Sequence, residues 1–268
     1  MPRITRVLAP NPSPGTLTGT NTYVLDAGGV VTVVDPGPDD ATHLQAVLRA
    51  AEPLGRVRAV LVTHGHADHL PAAVPLAAAT GASIVGHPNL PGVQHPLADG
   101  ETLALGPALA LTALDTPGHT EDSLCYWEPA ARALFTGDLV AGSGSLVVDD
   151  RPGGLARSLA SLRRLQALGP CTIYPGHGPI VADGQAKLAE YLAHRAEREQ
   201  QILELLAARP RSADALVSAI YVDVPPALLG HAARNVRAHL GRLADEGRIH
   251  CDADGVFSPL PSWGGGRG

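Results

Sequence analysis

Lysine is almost missing from this 268-residue chain, where Lys187 is the only one and arginine carries the positive charge. We read that as compositional bias ahead of function. Cysteine is scarce as well. Cys125, Cys171 and Cys251 are far apart, odd in number and never form C-x-x-C. That argues against a disulfide framework or a cysteine zinc site and fits a reducing compartment. Aromatic residues make up 3% and the formal charge is −6. Little is therefore available for stacking bases, and no net charge draws the chain to a phosphate backbone. No run approaches the ~18 apolar residues of a membrane span. The start, Met1 to Arg6, leads into Pro10-Asn11-Pro12-Ser13-Pro14 without an apolar core of signal-peptide length. The expectation is a cytoplasmic protein with no membrane partner. G-x-S-x-G, a P-loop and a dinucleotide fingerprint are all missing, and no serine stands three residues before Lys187.

What is present concentrates in Thr63-His64-Gly65-His66-Ala67-Asp68-His69, three imidazoles and a carboxylate in the order H-x-H-x-D-H. The β-branched run Val57–Val62 before it predicts a buried strand, so the cluster sits where a strand gives way to a loop. Neutral imidazole and carboxylate are the preferred ligands of zinc and its first-row neighbours. The same context recurs three times. Leu109–Leu114 runs into His119, Ala133–Thr136 into Asp138, and Cys171–Tyr174 into His177, each beside Gly or Pro. If these strand ends share one edge of a sandwich, seven metal-capable side chains converge there. Asp35 ends the second strand of a predicted hairpin (21–26 with 30–34). It reads equally as a partner for a ligand histidine and as a turn-stabilising carboxylate. Ala141–Leu146 reads equally as cleft lining and as a connector. His87, His95, His194 and His231 read as ordinary histidines.

Helical spacing marks 42–52, 71–80, 155–168 and a long amphipathic stretch, 184–208. Strands in runs with helices interspersed predict a mixed α+β sandwich without strict βαβ alternation. After the break at Arg209-Pro210, Ser212 is a good N-cap for a helix over 213–220. Another helix covers 226–246, and Asp252-Ala253-Asp254-Gly255 is a hairpin turn. The pattern suggests a winged helix whose possible recognition helix holds Arg234, Arg237 and Arg242. The segment 211–258 carries five arginines against six acids, so sequence-specific DNA binding is not favoured. The expected division is a main domain over 1–208, a winged helix over 209–260 and a disordered tail over 261–268.

The motifs D-P-G (Asp35), H-x-H-x-D-H (His64 to His69), P-G-H-T (His119), T-G-D (Asp138) and P-G-H-G (His177) resemble the metallo-β-lactamase-fold hydrolase superfamily. The resemblance implies an αββα sandwich with two divalent metal ions at its edge, zinc foremost, although manganese or iron also suits such ligands. It assigns His64, His66 and His119 to one metal, Asp68, His69 and His177 to the other, and Asp138 to a bridge. Such a pair shares and acidifies a water, and Asp68 also orients that water or accepts its proton. A narrower likeness, in Asn21-Thr22-Tyr23 and Tyr191–Leu203 followed by a winged helix, is to the β-lactamase-like protein 2 subfamily. Members of that subfamily include single-strand-selective endoribonucleases, and relatives release acyl chains from carrier proteins. Glyoxalase II is a cousin with a different C-terminal region. The expected activity is therefore metal-dependent hydrolysis, with RNA phosphodiesters as substrate and acyl thioesters or esters as the alternative. A reading of another class is a non-catalytic, metal-dependent winged-helix regulator. Oligomeric state is not readable.

Overall fold

The computed structural model describes residues 3–107 and 109–260, so the expected disordered tail lies outside the described residues. Two sheets stack face to face. The first is six-stranded, built in order from β1 (Arg3–Leu8), β2 (Asn21–Asp26), β3 (Gly29–Val34), β4 (Gly55–Leu61), β5 (Ser83–Gly86) and β6 (His95–Pro96). The second is five-stranded, formed by β7 (Thr102–Gly106), β8 (Leu109–Asp115), β9 (Leu124–Glu128), β10 (Ala133–Gly137) and β11 (Thr172–Pro175), in the order β11-β10-β9-β8-β7. Helices α1 (Ala41–Ala51) and α2 (Ala73–Thr80) cover the first sheet, while α3 (Gly154–Gln166) and α4 (Gly184–Ala208) cover the second.

The period-2 alternation of strands explains the layering. On β2, Tyr23 and Leu25 face the other sheet while Val24 faces the helices. On β10, Ala133 and Phe135 point inward and Leu134 packs against α3 and α4. Both faces of these strands are buried, which is why their sequences read as continuous apolar runs. Two hydroxyls tie the sheets together near the site: Tyr126 donates to Val62 O at 2.7 Å and Tyr23 to Pro175 O at 2.8 Å. The predicted hairpin is the antiparallel pair β2–β3. Strands β1, β6 and β7 were not anticipated.

The C-terminal unit is a winged helix, as expected. It comprises β12 (Arg211–Ser212), α5 (Ala213–Ile220), α6 (Leu229–Asp245), β13 (Ile249–Cys251) and β14 (Val256–Pro259). Ser212 caps α5, its Oγ accepting from Ala215 N at 3.3 Å. The helix foreseen over 226–246 begins instead as a 3-10 turn, Pro226–Leu228, in which Leu228 N donates to Pro225 O at 2.8 Å and Leu229 N donates to Pro226 O. Helix α4 serves both units. Leu188 and Tyr191 join the sandwich core, and Ile202 and Leu206 join the winged-helix core. Among the described residues the cysteines are free, and no helix is long and apolar enough to cross a membrane.

Candidate metal centre

All seven predicted side chains meet at one edge of the sandwich, in loops that follow β4, β8, β10 and β11. Their ligand atoms form two groups, His64/His66/His119/Asp138 and Asp68/His69/His177, and within each group those atoms lie within 4.8 Å of one another. Asp138 touches both. Its Oδ2 is 3.6 Å from His119 Nε2 and 3.2 Å from His177 Nε2, and its Oδ1 is 3.4 Å from His69 Nε2.

The remaining imidazole nitrogens are held from behind. His69 Nδ1 donates to Asp35 Oδ2 at 2.9 Å, His119 Nδ1 to Val147 O at 2.9 Å and His177 Nδ1 to Gly19 O at 3.3 Å. That fixes each ring with Nε2 toward the cluster, the arrangement found behind metal-bound histidines. Asp35 is 2% exposed and also accepts from Thr63 N and Thr63 Oγ1, both at 2.8 Å. It takes φ +50°, a left-handed conformation that Asp tolerates better than most residues. Asp35 thus both contacts a histidine of the cluster and occupies a turn.

Close backbone approach explains two glycines. A Cβ on Gly176 would lie 2.4 Å from Asp138 Oδ1 and 2.7 Å from His69 Cε1. Gly137 takes φ +48°, and a Cβ there would lie 2.4 Å from Thr63 Oγ1. The glycines of P-G-H-G and T-G-D thus leave room for the cluster itself. Sequence reasoning passed over three supporting residues. Thr63 links Asp35 to His64, with Oγ1 3.0 Å from His64 Nδ1. Thr20 Oγ1 donates to Asp68 Oδ2 at 3.1 Å. Asn21 Nδ2 donates to Pro175 O and Gly178 O, both at 2.9 Å, stapling the His177 loop to β2. Their one-sided polar signals vanish among ordinary threonines and asparagines.

Electrostatics divides the cluster. Burial, then the neighbouring imidazoles, pushes His64 well below the usual histidine range and His66 below it. Burial lowers His119 too, against the pull of Asp138. Burial also opposes charge on His69 and His177, but Asp138 with Asp35 overrides it at His69, and Asp138 with Asp68 at His177. His69 ends well above its ordinary range and His177 at about 9. Asp68 loses some ground to burial, yet His177 and His69 draw it down to about 2. One group thus offers neutral imidazoles, while the other is charge-paired until a metal displaces its protons.

Residues 15–177 match the family described as Metallo-beta-lactamase superfamily, which spans more than half of the chain and every residue of the cluster. The chain belongs to the metallo-β-lactamase superfamily. Residues 212–257 match the Beta-lactamase associated winged helix domain. The Beta-lactamase-like protein 2 homolog of Caenorhabditis elegans is 32% identical across 92% of this chain and 85% of its own length. An Atrochrysone carboxyl ACP thioesterase of Aspergillus fumigatus is 35% identical across 75% of this chain and 64% of its own. A metallo-beta-lactamase family protein from Thermus thermophilus superposes with a TM-score of 0.80 at 23% identity, covering 96% of this chain and 98% of that one, a likeness of fold. The protein is accordingly a metal-dependent hydrolase of this superfamily, with a His/Asp cluster suited to divalent metals.

In this metallo-β-lactamase-fold chain the winged helix roofs the metal edge. A cleft of about 450 Å³ runs from His66, Asp68, His119, Asp138 and His177 to residues of α6 and of the loop before it. Between them lie the N-terminal loop at Pro14–Leu17 and the segment Ser143–Val147. The 141–146 stretch is thus cleft lining over most of its length. His194 and His231, which the sequence presents as ordinary histidines, also line the cleft. Only the packing of α4 and α6 over the sandwich brings them there. The same packing braces the cluster. Asn235 Oδ1 accepts from Val148 N at 3.0 Å, next to the carbonyl that holds His119, and Arg195 Nη2 donates to Leu146 O at 2.8 Å.

Proposed function

We propose that the protein is a dinuclear zinc hydrolase of acyl thioesters, organised as a catalytic domain over 1–208 and a winged helix over 209–260 that closes the cleft. The observation that carries this reading is the cleft wall. Beyond the cluster it is mostly apolar, with Leu17, Leu146, Val147, Val224, Leu228 and Ala232, and Tyr221 is the one Phe, Tyr or Trp lining it among the described residues. Its volume falls in the usual range of about 300–1,000 Å³ for small-molecule sites. An acyl chain fits such a wall. Single-stranded RNA gains about 1–3 kcal/mol for each base stacked on an aromatic ring, and one tyrosine offers one platform. The fungal thioesterase relative supports the same class.

In this reading His64, His66 and His119 hold one ion, Asp68, His69 and His177 the other, and Asp138 reaches both. Bound there, the ions supply an acidified water and a Lewis acid for the carbonyl oxygen. Asp68 at the cleft wall is the catalytic carboxylate. Held by Thr20 and His177, its Oδ2 accepts the proton of the attacking water and returns it to the departing thiolate. Water oxygen bonds to the carbonyl carbon, the C–S bond breaks, and a carboxylic acid and a thiol leave.

The regulator reading loses its footing on α6. Arg237 pairs with Asp150 at 2.9 Å and Arg242 with Glu199 at 2.7 Å, while Arg234 lies 3.5 Å from Asp150. Two of the three arginines of the candidate recognition helix are thus engaged within its own chain, and the third lines the cleft, which leaves little for a DNA backbone.

The test is hydrolysis of an acyl thioester and of a labelled single-stranded RNA oligomer by zinc-loaded protein, beside His66→Ala. Thioester turnover lost in the variant, with the oligomer intact, is expected. Cleavage of RNA with the thioester left whole overturns the reading. The split pKa values add a second expectation. Filling the His69/His177 site at pH 7 displaces protons from imidazoles whose pKa is raised, so its affinity climbs as pH rises above neutrality. The His64/His66/His119 site, with pKa values lowered, gains little above pH 6.5. Zinc titration by calorimetry in buffers of differing ionisation enthalpy reads both, and equal proton release at the two sites contradicts the division.

A further inference from the structure

Outside the metal cluster, the ionisable groups lining the cleft are His194, Tyr221, His231 and Arg234, and no carboxylate lines that part among the described residues. His194 comes from α4, and His231 and Arg234 come from α6, one turn apart on the same face. Arg234 is the only arginine lining the cleft among the described residues. Its sole carboxylate contact is loose, Nε at 3.5 Å from Asp150 Oδ1. Arg237 holds the same carboxylate more closely, with Nε and Nη2 both 2.9 Å from Oδ2. The terminal nitrogens of Arg234 therefore have no hydrogen-bond partner among the described residues, on a side chain that is 43% exposed at the cleft. His194 Nδ1 is buried and likewise unpartnered.

From this juxtaposition we infer that Arg234, which shares the cleft wall with His231 and His194, forms an anion subsite beneath the winged helix, and that it selects substrates carrying a carboxylate or phosphate besides the bond that is cut. The inference rests on the thioesterase reading for the reaction but not for the binding. A planar guanidinium with both terminal nitrogens available takes either anion in a two-point grip, which an apolar wall cannot offer. It also gives the winged helix a task other than reading DNA, since the module delivers the one cleft group that distinguishes charged from neutral substrates. The anion has two sources, a carboxylate at the far end of the acyl chain or a phosphate on the thiol leaving group.

The experiment uses the zinc-loaded full chain and thioethers, which keep both ends of the thioester but lack its carbonyl and cannot be hydrolysed. Four ligands of matched length are compared by calorimetry: acyl end neutral or carboxylated, and thiol end a short amide or a phosphorylated pantetheine. At least one charged ligand is expected to bind about ten-fold more tightly than its neutral match, the scale of one charge-assisted pair. The end that shows the preference identifies the source. Arg234→Gln is expected to abolish the preference while leaving zinc content and neutral-ligand affinity unchanged, and Arg234→Lys to restore part of it. A wild-type protein indifferent to charge overturns the inference, as does a preference that survives Arg234→Gln. Failure of the thioesterase reading shows elsewhere, in intact neutral thioester after incubation with the same protein.

Discussion

Replacing Asp138 with Asn is expected to lower kcat/KM by about three to four orders of magnitude, the scale of losing several kcal/mol of metal-derived stabilisation. No other side chain of the cluster lies between both groups. Asp138 approaches His119 and His177 with one oxygen and His69 with the other. It is buried and held ionised: burial alone would raise its pKa, but His69 and His177 bring it well below the carboxylate range. An amide of the same shape removes the charge and replaces an acceptor with a donor that faces imidazole nitrogens. Bound zinc, measured by atomic emission, is expected to fall below one equivalent. Asp138→Asn protein that keeps two equivalents and near-normal turnover would show that the carboxylate does not bridge.

Asp35→Asn has the second largest expected effect, although Asp35 reaches no substrate. Asp35 contacts Thr63 through both oxygens and His69 Nδ1 through Oδ2. The carboxylate thereby sets which nitrogen of His69 faces the cluster. Removing such a partner usually costs about 10–100-fold in metal affinity or activity. Asn is the informative choice because it tolerates the φ of +50° that the turn demands, so the charge is tested apart from the backbone. The expected signature is zinc loss from the His69/His177 site first, with kcat falling alongside and the metal-free protein destabilised by about 1–3 kcal/mol where the amide faces a donor of Thr63 or His69. If Asp35→Asn binds zinc as the unaltered chain does, Asp35 serves the turn alone.

The metal edge was legible because its ligands obey local rules. Three imidazoles and a carboxylate within one heptapeptide leave few other uses, and the strand before them is rich in β-branched residues. His119, Asp138 and His177 carried less signal individually and gained theirs from a shared strand-end context. The two sheets followed from alternation on strands such as β2 and β10. Strand β1 stayed hidden because Arg3 and Arg6 break up an edge strand with no buried residue, and β6 is two residues long. The roof of the cleft was out of reach for another reason. Arg237 and Asp150 are separated by 87 positions, and Arg242 and Glu199 by 43. A reader of the sequence sees three arginines on one helix and infers a charged face, whereas the fold commits two of them to closely held carboxylates and leaves Arg234 at the cleft. His194 and His231 likewise reach the cleft only once α4 and α6 are packed against the sandwich.

The most direct test of the account is thioester hydrolysis followed as zinc is added to metal-free protein, one equivalent at a time. The account predicts little turnover at one equivalent, a steep rise to a plateau at two, and no rise at all in Asp138→Asn. Full turnover without metal, or a plateau reached at a single equivalent, would contradict the dinuclear centre on which the reading rests.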